Sequence, residues 1–230
     1  KEDHRERVLK QLHGLVDAGA IQRAFPAEYG GQDAHGANIA AFEELVTADP
    51  SLQIKSGVQW GLFGAAVLHL GSREHHERFL PGIMDLSVPG AFAMTEIGHG
   101  SDVASLGTTA TYDPATEEFV LNTPFPAATK RYLGNAAVDA KDAVVFAQLI
   151  TPGEEEGQAP INRGVHAFYC HIRDDQGNPL PGITIGDDGQ KGGLNGVDNG
   201  QFTFEEIRIP RTYLLNRYGD VAPDLSLIHI

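Results

Sequence analysis

The hydrophobic period changes once along the chain, near Pro89, and that change limits the fold more than any other feature. Before it, apolar residues recur at helical spacing. Val8, Leu9, Leu12, Leu15 and Val16 share one helical face, and Gly19 stands where a C-terminal cap belongs. Ile39, Phe42, Leu45 and Val46 repeat the pattern until Asp49-Pro50 stops it. An apolar segment then runs from Leu52 to Leu70 with Gly57, Gly61 and Gly64 along it. Glycine is unfavourable inside a helix by about 1 kcal/mol, so these three predict close approach by another backbone, a ligand or a tight core. Gly71-Ser72 ends that helix and caps another, expected to run to Leu80 before Pro81.

After Pro89 the texture is that of strands. Thr108 to Tyr112 and Glu118 to Asn122 read as a hairpin turned at Asp113-Pro114. Ala143 to Leu149 and Val165 to Ile172 are apolar runs suited to buried strands, and Asp174 to Pro179 forms a hairpin end. Between them, Thr151 to Gly164 reads as a polar loop. From Gln201 to Ile209 the alternation has a fault: Phe202 and Phe204 share one parity, Ile207 and Ile209 the other. A bulge at Glu205-Glu206 would put all four on one face. Helices followed by strands predict an α+β chain: a helical domain at residues 1–88, then an antiparallel, barrel-like β domain at 89–224. No G-x-G-x-x-G follows a strand and no P-loop is present, which disfavours a parallel nucleotide-binding sheet.

With 41% apolar residues a core can be buried. A net charge of −14 argues against nucleic acid or an anionic membrane surface as partner. No run is long enough to span a membrane, and the first residues lack a secretory signal. One cysteine, Cys170, cannot form an internal disulfide and is read as a buried small hydrophobe. His69, His75 and His76 suggest metal ligation, but adjacent histidines on a helix face apart, so a solvated pair is expected. Neither Asp174-Asp175 nor Asp187-Asp188 has the spacing of a calcium loop, and no metal site is expected.

The densest chemistry lies in Ala91-Phe92-Ala93-Met94-Thr95-Glu96-Ile97-Gly98-His99-Gly100-Ser101-Asp102. An apolar strand ends in a hydroxyl and a carboxylate, then enters a loop whose glycines let backbone amides approach a ligand. Thr95, Ser101 and those amides could bond a polar ring edge or a carbonyl. Glu96 and Asp102 offer an acid–base pair, and His99 a proton relay; for His99 a hydrogen-bonded loop histidine is the plainer reading.

That string resembles the T-E-x-G-x-G-S-D segment of the acyl-CoA dehydrogenase and acyl-CoA oxidase superfamily. Thr108 to Pro114, Glu118 to Pro124, Gly193 to Gly200 and Phe204 to Arg211 are similar to the oxidase branch, and the likeness covers about residues 20–223. The resemblance implies a helical domain, a middle β domain and a C-terminal helical bundle lying outside this chain, so that the chain is a fragment. It implies FAD as cofactor, held by Thr95 with Met94 and Gly100 beside it and by Gly134, it places Ser101 near a fatty acyl-CoA, and it makes Glu96 and Asp102 structural or flavin-side groups rather than an acid–base pair. The implied reaction is α,β-dehydrogenation, with a glutamate of the absent bundle as base, so no catalytic residue is assigned within the chain. Oxygen would be the acceptor in an oxidase and a flavoprotein in a dehydrogenase; a non-catalytic flavin- or CoA-binding fragment is the third reading. At Lys130-Arg131-Tyr132-Leu133-Gly134-Asn135 the chain departs from the commoner oxidase pattern of a tryptophan pair and a proline, and looks like a bacterial branch. That favours cytoplasm, with the peroxisome expected in a eukaryote. The family also implies a homo-oligomer. Arg131, Arg163, Lys191 and Arg208 are candidate contacts for the CoA phosphates. Residues 225–230 break the family pattern and are expected to be a non-native end.

Overall fold

The computed structural model describes residues 2–153, 155, 157–221 and 227–229. Helix α1 spans Glu2–Asp17, α2 His35–Ala48, α3 Pro50–Ser56, α4 Ala65–Leu70 and α5 Arg73–Met84. In α1, Val8 and Leu12 are buried. The helix ends in a Schellman motif, with Ala20 N bonded to Leu15 O, Gly19 N to Val16 O, and Gly19 at φ +68°. Asp49 divides α2 from α3 by accepting the Ser51 amide at 2.8 Å, with Pro50 in the first helical position.

The glycine-bearing segment Gly57–Gly64 is π-helical and continuous with α3 and α4. A Cβ on Gly64 would stand 3.0 Å from Ile83 and 3.1 Å from Phe25, so close packing explains that glycine, while Gly61 faces open space. The apolar stripe of α2 is only partly covered: Phe42 and Leu45 are half-buried, but Ile39 is 60% exposed and Val46 45%. Ile39, Phe42 and Leu45 line, with Leu15, Trp60 and Leu62, an apolar cavity of about 580 Å³.

Two expectations for α5 are overturned. The helix passes through Pro81 and ends at Met84. The ring costs one backbone bond, but the turn beyond it is anchored, since Ile83 O accepts from Trp60 Nε1 at 2.9 Å and from Gln59 Nε2 at 3.2 Å. His75 and His76 are buried rather than solvated. His75 closes a capping box with Ser72, and its Nε2 lies 3.0 Å from Thr212 O, so it is used in capping and in docking the helix.

The strands are β1 Gly90–Ala93, β2 Thr109–Asp113, β3 Glu118–Asn122, β4 Lys130–Leu133, β5 Asp142–Thr151, β6 Ile161–His171, β7 Ile183–Asp187, β8 Gly200–Phe204, β9 Ile207–Pro210, β10 Gly219–Val221 and β11 Leu227–His229. The main sheet runs β1-β5-β2-β3-β9, with β6 on β5, and a second sheet runs β4-β8-β7. Nine of the ten residues of β5 are buried, the burial of a strand flanked on both edges. Most ladders are antiparallel as expected, but β5 receives β1 and β2 in parallel, along successive parts of one edge: Ala93 pairs Val145 and Thr109 pairs Gln148. The loop between β1 and β2 therefore leaves the sheet through a gap in that edge.

The polar stretch from Thr151 is shorter than expected, because β6 already begins at Ile161. The parity fault at Glu205-Glu206 is not a bulge within one strand but a passage between sheets. Glu206 takes φ +49°, and β8 and β9 pair with different partners. Within the expected non-native end, Leu227–His229 pair antiparallel with β10; residues 225, 226 and 230 lie outside the described residues. Cys170 is fully buried as expected.

The helices lock onto the sheets through charge as well as apolar packing. Phe79 of α5 stacks on Tyr169 of β6 at 3.8 Å. Lys55 of α3, 2% exposed, reaches Asp198 at 2.5 Å and Asp139 at 2.6 Å and donates to Asn135 Oδ1 at 3.1 Å. Those partners lie in the segments that follow β4 and precede β8.

Candidate active site

The Thr95 loop is held by two buried side chains, Glu96 and Lys130, whose side chains are wholly excluded from solvent. A gap in a sheet edge leaves carbonyls without ladder donors, and such groups need partners. Lys130, at the start of β4, supplies them. Its Nζ donates to Phe146 O at 2.6 Å, to Met94 O at 3.0 Å and to Glu96 Oε1 at 3.0 Å. The Glu96 carboxylate also accepts from Gly107 N at 2.7 Å, Thr108 N at 3.0 Å and Thr108 Oγ1 at 2.6 Å. It therefore joins the two ends of the loop.

Burial alone would raise the Glu96 pKa, but Lys130, the Thr108 hydroxyl and the two amides hold it below the usual carboxylate range. Burial pushes the Lys130 ammonium down to about 8, against the pull of Glu96. With every oxygen engaged and its charge fixed, Glu96 is a structural carboxylate and not half of an acid–base pair. Asp102 is exposed.

Within the loop, Glu96 and His99 exchange backbone bonds, while Ile97 N and Gly98 N donate to Thr129 O and Ala127 O. These amides are consumed by the fold, which narrows the set expected to face a ligand. Among the described residues, the amides of Gly100, Ser101 and Asp102 have no acceptor within the chain. Gly100 and Ser101 are exposed, and Met94 and Thr95 are half-buried.

Thr95 and Gly134 are linked through β4. Thr95 O accepts from Arg131 N at 3.0 Å. Three residues further, a Cβ on Gly134 would lie 2.7 Å from Val58 Cγ2, so this glycine is required by contact with the π-helical segment. Asn135, at φ +65°, fixes the next position by donating to Gly90 O at 3.1 Å and accepting from Lys55. Between them Tyr132 is 62% exposed and holds φ +65°, a conformation costly for a bulky residue. Its carbonyl accepts from Asn199 Nδ2 at 2.9 Å.

A second cavity, of about 470 Å³, lies behind the loop. Met94 and Val103 line it from either side of the turn, with Phe146, Val165, His166 and Tyr218 among its other walls; Thr95 and Gly134 lie outside it. The four candidate cations are engaged elsewhere. Arg131 pairs with Asp188 at 2.9 Å, and Arg208 with Asp113 and Glu118 at 3.0 and 3.1 Å. Lys191 Nζ donates to Val197 O at 2.6 Å and Arg163 Nε to Thr151 Oγ1 at 3.1 Å.

Sequence reasoning missed the roles of Lys130 and Lys55. The signal available was a lysine inside an otherwise apolar pattern, as in Leu52-Gln53-Ile54-Lys55-Ser56-Gly57-Val58; a cation there is buried only if paired.

Residues 91–207 match the family model described as acyl-CoA dehydrogenase, middle domain, and residues 1–87 match its N-terminal domain. The peroxisomal acyl-coenzyme A oxidase 2 of Arabidopsis thaliana is 47% identical over 97% of this chain and 32% of its own length. Human peroxisomal acyl-coenzyme A oxidase 3 is 44% identical over 76% of this chain and 24% of its own. Among solved structures, acyl-CoA oxidase 1 from Yarrowia lipolytica superposes with a TM-score of 0.84 at 30% identity, covering 99% of this chain and 31% of that one. Acyl-CoA oxidase-1 of Caenorhabditis elegans, solved with FAD and ATP, gives 0.70 at 29% identity and likewise covers 99% of this chain, but 36% of its own. The chain thus spans about a third of the length of the oxidases it matches in Arabidopsis and Yarrowia. The two family models cover the helices and most of the sheets, and the chain belongs to the acyl-CoA dehydrogenase family, carrying its N-terminal and middle domains.

Proposed function

We propose that this chain provides the flavin-facing and acyl-CoA-facing walls of an enzyme that desaturates fatty acyl-CoA to the trans-2-enoyl-CoA. The observation that carries the reading is the clamped loop. Thr95 and Ser101 stand on one turn held by Glu96 and Lys130, the amides of residues 100–102 are free among the described residues, and an apolar cavity opens behind Met94.

These residues fit FAD. A half-buried hydroxyl at Thr95, a glycine at 134 and an exposed aromatic ring at Tyr132 suit a flat ring with a polar edge. Met94 and Gly100 flank Thr95 on the same turn. FAD, when bound, supplies the two-electron acceptor. The chain's own part is to donate a hydrogen bond from Thr95 to the ring, to hold it beside Gly134, and to present Ser101 and its neighbouring amides to the thioester arm. The apolar cavity would keep water from the pantetheine and acyl portions, which strengthens the polar contacts. Arg131 and Arg208 have carboxylate partners already, which counts against them as phosphate contacts.

Removal of the α proton needs a base that Glu96 cannot be, and we place that base outside these residues. Oxygen is the proposed acceptor because the relatives are oxidases by name. The helical part is taken to end at residue 88. Assembly as a homo-oligomer, and peroxisomal placement in a eukaryotic source, follow from the same reading.

The test uses the full-length protein that carries this chain. FAD titration by fluorescence, followed by peroxide release with a fatty acyl-CoA in air, should show binding and turnover. Thr95→Val should weaken FAD binding by about 1–3 kcal/mol, the worth of a lost hydrogen bond in a buried site. Protein that never binds FAD would sink the reading. Desaturation without peroxide would replace oxygen by a protein acceptor.

A further inference from the structure

Lys130 touches both neighbours of Thr95. Its Nζ holds the carbonyl of Met94, one residue before, and the carboxylate of Glu96, one residue after, at 3.0 Å each. The following residue, Arg131, gives its amide to the carbonyl of Thr95 itself, also at 3.0 Å. The third Nζ bond, to Phe146 O at 2.6 Å, ties the group to β5, the most buried strand of the sheet. The three protons of one ammonium thus go to three acceptors on two segments, filling its donor capacity. One atom thus pins the backbone carbonyl before Thr95 and the side-chain carboxylate after it, while the Thr95 side chain is left half-buried at the surface.

Sheet stability alone does not require this arrangement. A gap in the β5 edge could be closed by a water or a hydroxyl. A lysine there must be desolvated, which is costly unless its partners are well placed. What the ammonium adds is a fixed direction for one residue. A hydroxyl that recognises a ring edge must be held within a fraction of an ångström, by groups whose own positions are locked.

We propose that Lys130 is the positioning residue of the flavin site: it acts through Thr95, by fixing the backbone that carries the hydroxyl, and touches neither flavin nor substrate. The inference rests on the flavin reading above.

The experiment is a double-mutant cycle in FAD affinity on the full-length protein. Lys130→Met alone would strand a buried carboxylate, so the background is Glu96→Gln with Lys130→Met. It removes both charges while leaving the amides and hydroxyl of residues 107 and 108 an acceptor. Four proteins are titrated with FAD: unmodified, Thr95→Val, the paired variant, and the paired variant with Thr95→Val. Folding is followed by circular dichroism, and the fine structure of the bound flavin's absorption reports the polarity at the ring.

In the unmodified background Thr95→Val should weaken binding about tenfold, the scale of one hydrogen bond. In the paired background the same substitution should change affinity less than about twofold, with the flavin spectrum already that of Thr95→Val. A purely structural lysine would leave the two losses multiplicative and the spectrum native; that result overturns the proposal while leaving the flavin reading standing. Failure of the paired variant to fold overturns it too, assigning Lys130 to the scaffold. Absence of FAD binding by the unmodified protein overturns the flavin reading itself.

Discussion

Replacing Lys55 with methionine should unmake the joint between the helices and the sheets. The ammonium is 2% exposed and lies 2.5 Å from Asp198, which is fully buried, and 2.6 Å from Asp139. Methionine fills a similar volume, so the loss is electrostatic. Asp198 would keep the amides of Val138 and Asp139, at 2.8 and 3.1 Å. Asp139 would lose its ion-pair partner and keep only the longer-range pull of Arg5 and Arg173. Removing one side of a buried pair costs about 3–5 kcal/mol, a fifth or more of an ordinary domain's stability of about 5–15 kcal/mol. At this chain length each kcal/mol lowers Tm by about 2–4 °C, so a fall of roughly 10 °C is expected. The pH dependence follows from Asp139. Burial raises its pKa above the ordinary carboxylate value even with Lys55 present. A raised native pKa means the folded state binds the proton more tightly, so this contribution is fully present below the unfolded pKa and lost as pH rises through the folded one. In Lys55→Met the deficit should be greatest at pH 7 and smaller at pH 5, where Asp139 can be neutral. Urea unfolding at both pH values measures it, and Lys55→Met with Asp198→Asn should recover part of the loss. A deficit under about 1 kcal/mol at pH 7 would refute the reasoning, since that is the scale of an exposed pair; so would a deficit identical at pH 5.

Two further expectations concern packing and protonation. Gly134→Ala should destabilise by about 1–3 kcal/mol through overpacking against Val58, and Val58→Ala should relieve it in the double variant; additive losses by chemical denaturation would show that the contact is not the cause. Asp142, bonded to His171 Nδ1 at 2.7 Å, raises the histidine's pKa despite partial burial. Its contribution is therefore present below pH 6.5 and lost as pH rises through the folded value, so the Tm difference from His171→Gln should shrink above neutrality; with the side chain 48% exposed the effect is small, and a difference that grows with pH would contradict it.

Much of this architecture was legible from local pattern. The α1 face around Val8 and Leu12, the cap at Gly19 and the stop at Asp49-Pro50 depend on neighbours within a turn, and all three stand in the structure. The motif from Thr95 to Asp102 was also legible, but its internal accounting was not. Which amides of the turn are left without a backbone acceptor depends on Thr129 and Ala127, some thirty residues away, which consume those of Ile97 and Gly98. His75 and His76 looked solvated because adjacent residues on a helix face different ways; each face happens to meet protein. The fault between Phe204 and Ile207 has the same parity signature whether a strand bulges or changes sheet, and pairing alone separates the two.

By itself the sequence determined the order of helices and strands, the caps between them and the presence of a glycine-bearing turn at the end of β1, because those features are set by short-range sterics and hydrophobic period. Only the tertiary structure decided that β1 and β2 share one edge of β5, that the break between them is closed by Lys130, and that Lys55 joins α3 to the segments beside Gly134. A buried cation is stable only where acceptors from distant segments converge on it, and such convergence has no period along the chain.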